Sequence, residues 1–391
     1  MAIILASLNT YKHELLASNM VGTPILQQHG QEDDNVPVFH SRRMSQLASE
    51  AGWETKYCEI PGKGHWWEGV MTDGGLSLFL KYYLQENPVI QPLPDRFSIV
   101  VASPADMGPR GGIVIDQLDI PDQFGCINVE TSGGTWNLKT SNIRRWHFQK
   151  SPTDPPSRVI LDDQEFVISI PPGSMSSHWF VASEDGVWSI ANSPDWKLRE
   201  RSGQQSGALD AILTSKSRFS IVLPKESGNS SYHNGVALDI SRNLFQYFAA
   251  DTEIFVNPSK STVIDGNLIV LGFPNEIGIN IPQLGREFPI AKLGNAIAIT
   301  DSRGRRRTYP LEPGMGLIYL HPLPDERLAL IIWGTDEEGL RTAARLLPLR
   351  TGVGQPNFVM GGKEMRWSGV AGVKATGMFD SWWRVSHTSY L

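Results

Sequence analysis

Three rhythms of apolar and polar residues follow one another along the chain. In the first, Thr23-Pro-Ile-Leu-Gln-Gln28 has an apolar centre that suits a buried parallel strand. Met44, Leu47, Ala48 and Ala51 then fall at i, i+3, i+4 and i+7, one face of a helix that Gly52 can terminate. Tyr57-Cys-Glu-Ile60 reads as a second strand, and Leu76, Phe79, Leu80 and Tyr83 repeat the helical spacing. Pro88, Pro92 and Pro94 mark residues 85–95 as a linker. Residues 1–90 thus follow the strand, helix, strand, helix order of a doubly wound α/β sheet.

From residue 96 to about 195 the apolar runs become short and closely spaced: Ile113–Ile115, Ile127–Val129, Trp136–Leu138, Arg158–Leu161 and Phe166–Ile168. Asp185-Gly186 is a hairpin-turn pair. This spacing predicts an all-β, sandwich-like module. Residues 206–391 return to an α/β pattern, with buried strands at Phe219–Leu223, Glu253–Val256, Leu268–Leu271 and Leu328–Ile332. Val236, Ile240, Leu244, Tyr247 and Phe248 form one amphipathic helical face. Thr335-Asp-Glu-Glu338 reads as a capping box opening a helix over Gly339–Leu347.

Composition narrows the classes. The chain has 391 residues, 40% hydrophobic and 19% charged, with a formal net charge of −6. No run approaches the ~18–20 consecutive apolar residues of a membrane span. The basic run Arg303-Gly-Arg-Arg-Arg307 lacks interleaved aromatics, so a solvated loop is expected and no nucleic-acid partner. Cys58 and Cys126 allow one bridge or two buried thiols. Met1–Ser7 is apolar without a basic flank, which is not a complete signal peptide. Asn229-Ser-Ser231 is a glycosylation sequon, relevant only in a secreted protein.

Candidate chemistry sits in the first segment. His29-Gly-Gln-Glu-Asp33-Asp-Asn-Val-Pro37 directly follows the first strand, so a carboxylate emerges at the strand's C-terminal end, where active sites of such sheets gather. Pro61-Gly-Lys-Gly-His65-Trp-Trp67 follows the second strand, with His65 placed 32 residues after Asp33. In acyl-transfer triads a histidine takes the nucleophile's proton, and a carboxylate on its other nitrogen fixes the tautomer. Asp33 and His65 suit those roles, with Asp34 turned to solvent or capping the next turn. Trp66 and Trp67 are expected to pack the loop onto the sheet; lining a substrate pocket is the alternative. The tryptophans of the middle segment, Trp136, Trp146, Trp179 and Trp188, are expected in the core, with carbohydrate binding as their alternative role. The remaining histidines lack metal-ligand spacing, and no phosphate or dinucleotide loop is present, so neither metal nor cofactor is expected.

These two motifs resemble the C-terminal part of the prolyl oligopeptidase family of serine peptidases, which have the α/β-hydrolase fold. The runs Gln28–Arg42 and Pro61–Met71 look like large fungal and bacterial members with C-terminal extensions, and the resemblance covers about a sixth of the chain. It implies that residues 1–90 are the last strands and helices of an incomplete α/β-hydrolase sheet. It also implies a peptide or ester substrate, with Asp33 and His65 as triad members. In that fold the serine precedes the aspartate on a Gly-x-Ser-x-Gly elbow. Only Ser7 and Ser18 precede Asp33, neither in such a setting, and no elbow occurs anywhere in the chain; Ser174 and Ser206 have the wrong spacing. No nucleophile is assigned, and the chain alone is expected to be inactive.

Two other readings compete: an esterase of the same fold, and a non-enzymatic binding or scaffold protein that keeps a hydrolase relic. An elbow in the genomic sequence upstream would favour an enzyme over a relic. A sheet lacking its early strands also exposes an edge, so residues 1–90 alone are expected to be poorly soluble.

Overall fold

The computed structural model describes residues 2–72, 74–85, 92–149, 156–169, 178–215, 217–223, 231–259, 264–273, 288–350 and 352–391. Asn229 of the sequon, Ser174 and residues 86–91 of the expected linker lie outside them. The architecture is mixed α/β with a large share of strand. No helix among the described residues is long and apolar enough to cross a membrane.

The chain opens with a short helix α1 (Ala2–Ala6) and two 3-10 stretches, Asn9–Tyr11 and His13–Met20. Then come β1 (Leu26–Gly30), α2 (Phe39–Glu50), β2 (Lys56–Ile60) and α3 (Gly74–Tyr83), the order that the apolar spacing dictates. Gly52, at φ +80°, ends α2 in a backbone region favoured by glycine; its N–H donates to Ser49 O and that of Trp53 to Ala48 O. β1 and β2 pair in parallel as a two-stranded sheet.

Nine strands follow: β3 (Arg96–Val101), β4 (Ile113–Leu118), β5 (Gly125–Ser132), β6 (Thr135–Ser141), β7 (Ile143–Phe148), β8 (Arg158–Leu161), β9 (Gln164–Val167), β10 (Trp179–Ala182) and β11 (Trp188–Ala191). They form sheets of order β3-β5-β6-β8-β9 and β11-β10-β7-β4. One apolar cluster joins the two sheets, with Ile99, Ile127, Leu138 and Leu161 from the first and Ile113, Trp146, Phe148 and Phe180 from the second. Trp136, Trp146 and Trp188 are buried in it, which removes them as sugar platforms. Asp185-Gly186 lies in the β10–β11 turn, with Gly186 at φ +76°.

The third segment adds α4 (Ala211–Thr214), β12 (Phe219–Leu223), α5 (Ser231–Phe248), β13 (Thr252–Val256), β14 (Asn267–Leu271), β15 (Ile290–Leu293), β16 (Ala296–Thr300), β17 (Arg306–Pro310), β18 (Gly316–Pro322), β19 (Leu328–Gly334), α6 (Glu337–Ala344), β20 (Phe358–Gly361), α7 (Met365–Ser368) and β21 (Val373–Gly377). Its main sheet runs β13-β12-β14-β19-β18-β20-β21, parallel as far as β19 and antiparallel beyond. Every residue of β12 and β14 is buried, as a parallel sheet covered on both faces requires.

Several expectations are corrected. The α5 face ends at Leu244, because Tyr247 and Phe248 are exposed. The α6 cap is Asp336, whose side chain accepts from Gly339 N at 2.9 Å, while the Thr335 hydroxyl donates to Glu312 O. Asp is as good a cap as Thr, and it stands one residue closer to the helix. Arg306 and Arg307 belong to an exposed strand and not to a loop. Cys58 and Cys126 are free, half-buried thiols, not a bridge.

Residues 2–21 form a strap touching the rest of the chain. The Asn19 side chain imitates a strand on the open edge of β3, accepting from Val100 N at 2.9 Å and donating to Val100 O at 2.7 Å. The Arg110 guanidinium covers the carbonyls of Ser18, Asn19 and Val21 at the end of the 3-10 stretch. Deeper in, the buried Arg201 donates to four oxygens: Gln205 O, Gly207 O, Phe379 O and Asn357 Oδ1. Loss of hydration pushes this guanidinium down to about 10, against the favourable charge of Asp380.

Candidate active site

β1 and β2 end side by side, with Gly30 opposite Ile60, so the loops leaving them start at adjacent points. Pairing continues one step further, Gln31 N to Ile60 O at 3.0 Å and Glu32 N to Lys63 O at 2.9 Å. This contact sets the identity of residue 30. A Cβ there would lie 2.3 Å from Gly64 O and 2.5 Å from Lys63 O, so only glycine lets the His65 loop come this close.

Directly after this contact the chain turns, and Asp33 Oδ1 accepts from the amides of Asn35 at 3.0 Å and Val36 at 2.8 Å. Such a turn uses the short Asx side chain to hold its own backbone. The other oxygen, Oδ2, lies 2.9 Å from His65 Nδ1. The Asp33 side chain is 6% exposed and that of His65 27%. Burial works to raise the Asp33 pKa, but the Val36 amide, His65 and the Asn35 amide together outweigh it and hold the carboxyl at about 2. A carboxylate on Nδ1 fixes the tautomer that leaves Nε2 able to accept a proton. Asp34 is exposed, as expected of it.

His29 has a role that the motif alone did not suggest. Its Nε2 lies 2.9 Å from Val36 O and 3.1 Å from Asp33 Oδ2, and its Nδ1 lies 2.7 Å from Ser41 Oγ. It is buried, and it ties the Asp33 turn to α2. Its separation of four residues from Asp33 was the available signal. Arg42, one residue beyond Ser41, makes a two-pronged ion pair with Glu59 at 2.8 and 2.6 Å, fixing α2 against β2.

Trp66 is not packed onto the sheet. Its ring meets that of His65 edge-on, with centroids 4.8 Å apart and planes at 88°, and it is 86% exposed. Trp67 is half-buried. Val36, Val70 and Met71 on these two loops and Phe39 at the start of α2 are also exposed, so apolar groups lie exposed around the dyad. Ser7 and Ser18 lie in the strap, and Ser7 Oγ donates to Ile4 O. Ser206 follows the Gly203–Gln205 turn of the third segment. Among the described residues no group of three or more His, Cys, Asp or Glu could hold a metal ion.

No family model matches the chain. An uncharacterized secreted protein of Arthroderma benhamiae is 38% identical over 394 residues, which covers 97% of this chain. The chain spans 41% of the length of that curated relative.

Proposed function

We propose that residues 23–85 are the closing part of an α/β-hydrolase catalytic domain of the prolyl oligopeptidase type, with Asp33 as the orienting carboxylate and His65 as the general base. The observation that carries this reading is the 2.9 Å contact between Asp33 Oδ2 and His65 Nδ1 at the C-terminal ends of adjacent parallel strands. The turn amides on Oδ1 keep the carboxylate ionised and aimed, so that it steadies the imidazolium formed when Nε2 takes a serine proton. The serine attacks a peptide or ester carbonyl, His65 returns the proton to the leaving group, and water completes the hydrolysis.

In this reading the serine comes from polypeptide outside these 391 residues, in a longer protein such as the relative, of which this chain spans 41%. That relative's designation as secreted supports an extracellular location. A fluorophosphonate probe tests the proposal. This chain should not be labelled; a longer protein joining it to an upstream Gly-x-Ser-x-Gly segment should be, with at least ~10²-fold slower labelling in the His65→Ala variant. Unchanged labelling in that variant would overturn the assignment. A peptide and ester panel on the longer protein separates the peptidase from the esterase.

A further inference from the structure

Away from Asp33 and His65, a second carboxylate and imidazole stand together on the middle segment. Trp146 and Phe148 of β7 and Phe180 of β10 belong to the core, so His147 and Trp179 alternate to the outer face of their sheet. The register of β7 with β10 sets these two residues directly opposite one another. Their rings lie 5.7 Å apart between centroids, with planes tilted by 46°. On the other side of β7 the pairing with β4 slips: Ile115 faces Trp146 and Gln117 faces Arg145, which leaves Asp116 as the extra residue of a bulge. A bulge re-aims a side chain. Here Asp116 Oδ2 stands 2.7 Å from His147 Nδ1.

With the carboxylate accepting from Nδ1–H, His147 Nε2 is left as an acceptor, and among the described residues nothing bonds to it. The Asp116 side chain is 10% exposed and that of His147 17%, so the imidazole is the more open of the two. Trp179 is half-buried, and its indole N–H is enclosed without a partner. Leaving such a donor unpaired costs about 1–3 kcal/mol, which a phenylalanine would avoid. What tryptophan adds at this position is therefore the width of its ring. The next outward residue of β7, Arg145, closes the face on one side: its guanidinium donates to Gln117 and Glu200 and lies 4.2 Å from the centre of the Trp196 ring.

We propose that Trp179, His147 and Asp116 form a binding site for a neutral glycan, separate from the site of Asp33 and His65. A sugar ring presents an apolar face of C–H groups and a rim of hydroxyls. The indole covers the first, and an imidazole nitrogen oriented by a carboxylate accepts from the second. An anionic sugar fits poorly, because Asp116 stands behind the imidazole and the nearest guanidinium on this face, Arg145, is held by Glu200 at 3.2 Å. A small organic cation is the other ligand for an indole beside a carboxylate. It would need Asp116, which is the more buried partner and is engaged by His147.

Calorimetry and NMR on the whole chain test the site, with cellohexaose, laminarihexaose, mannohexaose and chitohexaose as neutral probes and tetramethylammonium chloride as the cation. At least one hexasaccharide should bind in about the millimolar range or tighter. It should shift the Trp179 indole and His147 imidazole resonances and leave those of His65 in place. Trp179→Ala should weaken that binding by about tenfold or more, as expected of a tryptophan at the centre of a contact. If that variant fails to fold, His147→Leu serves, since it removes the acceptor and should weaken binding by about threefold or more. Binding of no hexasaccharide, binding of tetramethylammonium alone, shifts confined to the His65 loop, or affinity unchanged in a folded variant would overturn the glycan site.

Discussion

The parallel pair β12 and β14 and the parallel pair β1 and β2 have the same pairing chemistry and opposite surroundings. Every residue of the first pair is buried within a seven-stranded sheet, with α5 and α6 among its helices. In the second pair only His29 and Gly30 are buried, and among the described residues no strand adjoins either outer edge. α3 leaves Leu78, Leu80 and Tyr82 exposed, and Leu84 just after it is exposed too. Parallel strands are normally covered on both faces, so the difference lies in what surrounds each pair and not in how its strands bond. Local hydrogen bonds suffice to hold the Asp33–His65 geometry, whereas the third segment rests on packing.

Substitutions can break or sharpen this contrast. The largest effect is expected from Leu330→Ala in β19, fully buried among β14, β18 and α6. It should cost about 2–5 kcal/mol in chemical denaturation, the usual range for such a cavity. Gly30→Ala comes next. Its methyl meets the Lys63 and Gly64 carbonyls, so a cost of about 1–3 kcal/mol is expected, with loss of the Asp33–His65 hydrogen bond by imidazole NMR.

Acid provides a subtler test. Because Asp33 is held at about 2, the order it gives the turn is present above its ordinary 3.8 and lost as pH falls through about 2. The Val36 amide resonance should report this, and Asp33→Asn should remove the step. The smallest effect is expected from Leu78→Ala on exposed α3, within about 0.5 kcal/mol. A large loss there would mean that the first segment depends on its own packing, and would remove the contrast.

The same distinction governs what could be read from the residues. Strands at Phe219, Leu268 and Leu328 were legible because continuous apolar runs mark buried parallel strands, and α2 because its apolar face is periodic. β15 to β18, β20 and β21 were missed. Arg306–Pro310, for instance, is exposed except at the half-buried Tyr309 and carries no apolar alternation. Tyr247 and Phe248 kept the helical period without the burial, because periodicity tells which face a residue is on but not whether anything covers it. At the site, the type and order of Asp33 and His65 were legible. The support from His29 and the demand on Gly30 were not, since both arise from contacts between loops that no single stretch encodes.

The four oxygens around Arg201 bear on how the chain assembles. They come from residues 205, 207, 357 and 379, so the guanidinium loses water only when distant stretches of the chain have arrived together. A half-assembled chain would strand a dehydrated cation, at a cost of about 3–5 kcal/mol by comparison with broken buried pairs. A state with that corner dry and incomplete is disfavoured by that amount. A lysine in its place, with three donors on one nitrogen, could not span these four points, so the guanidinium's flat fork acts as the template on which the corner closes.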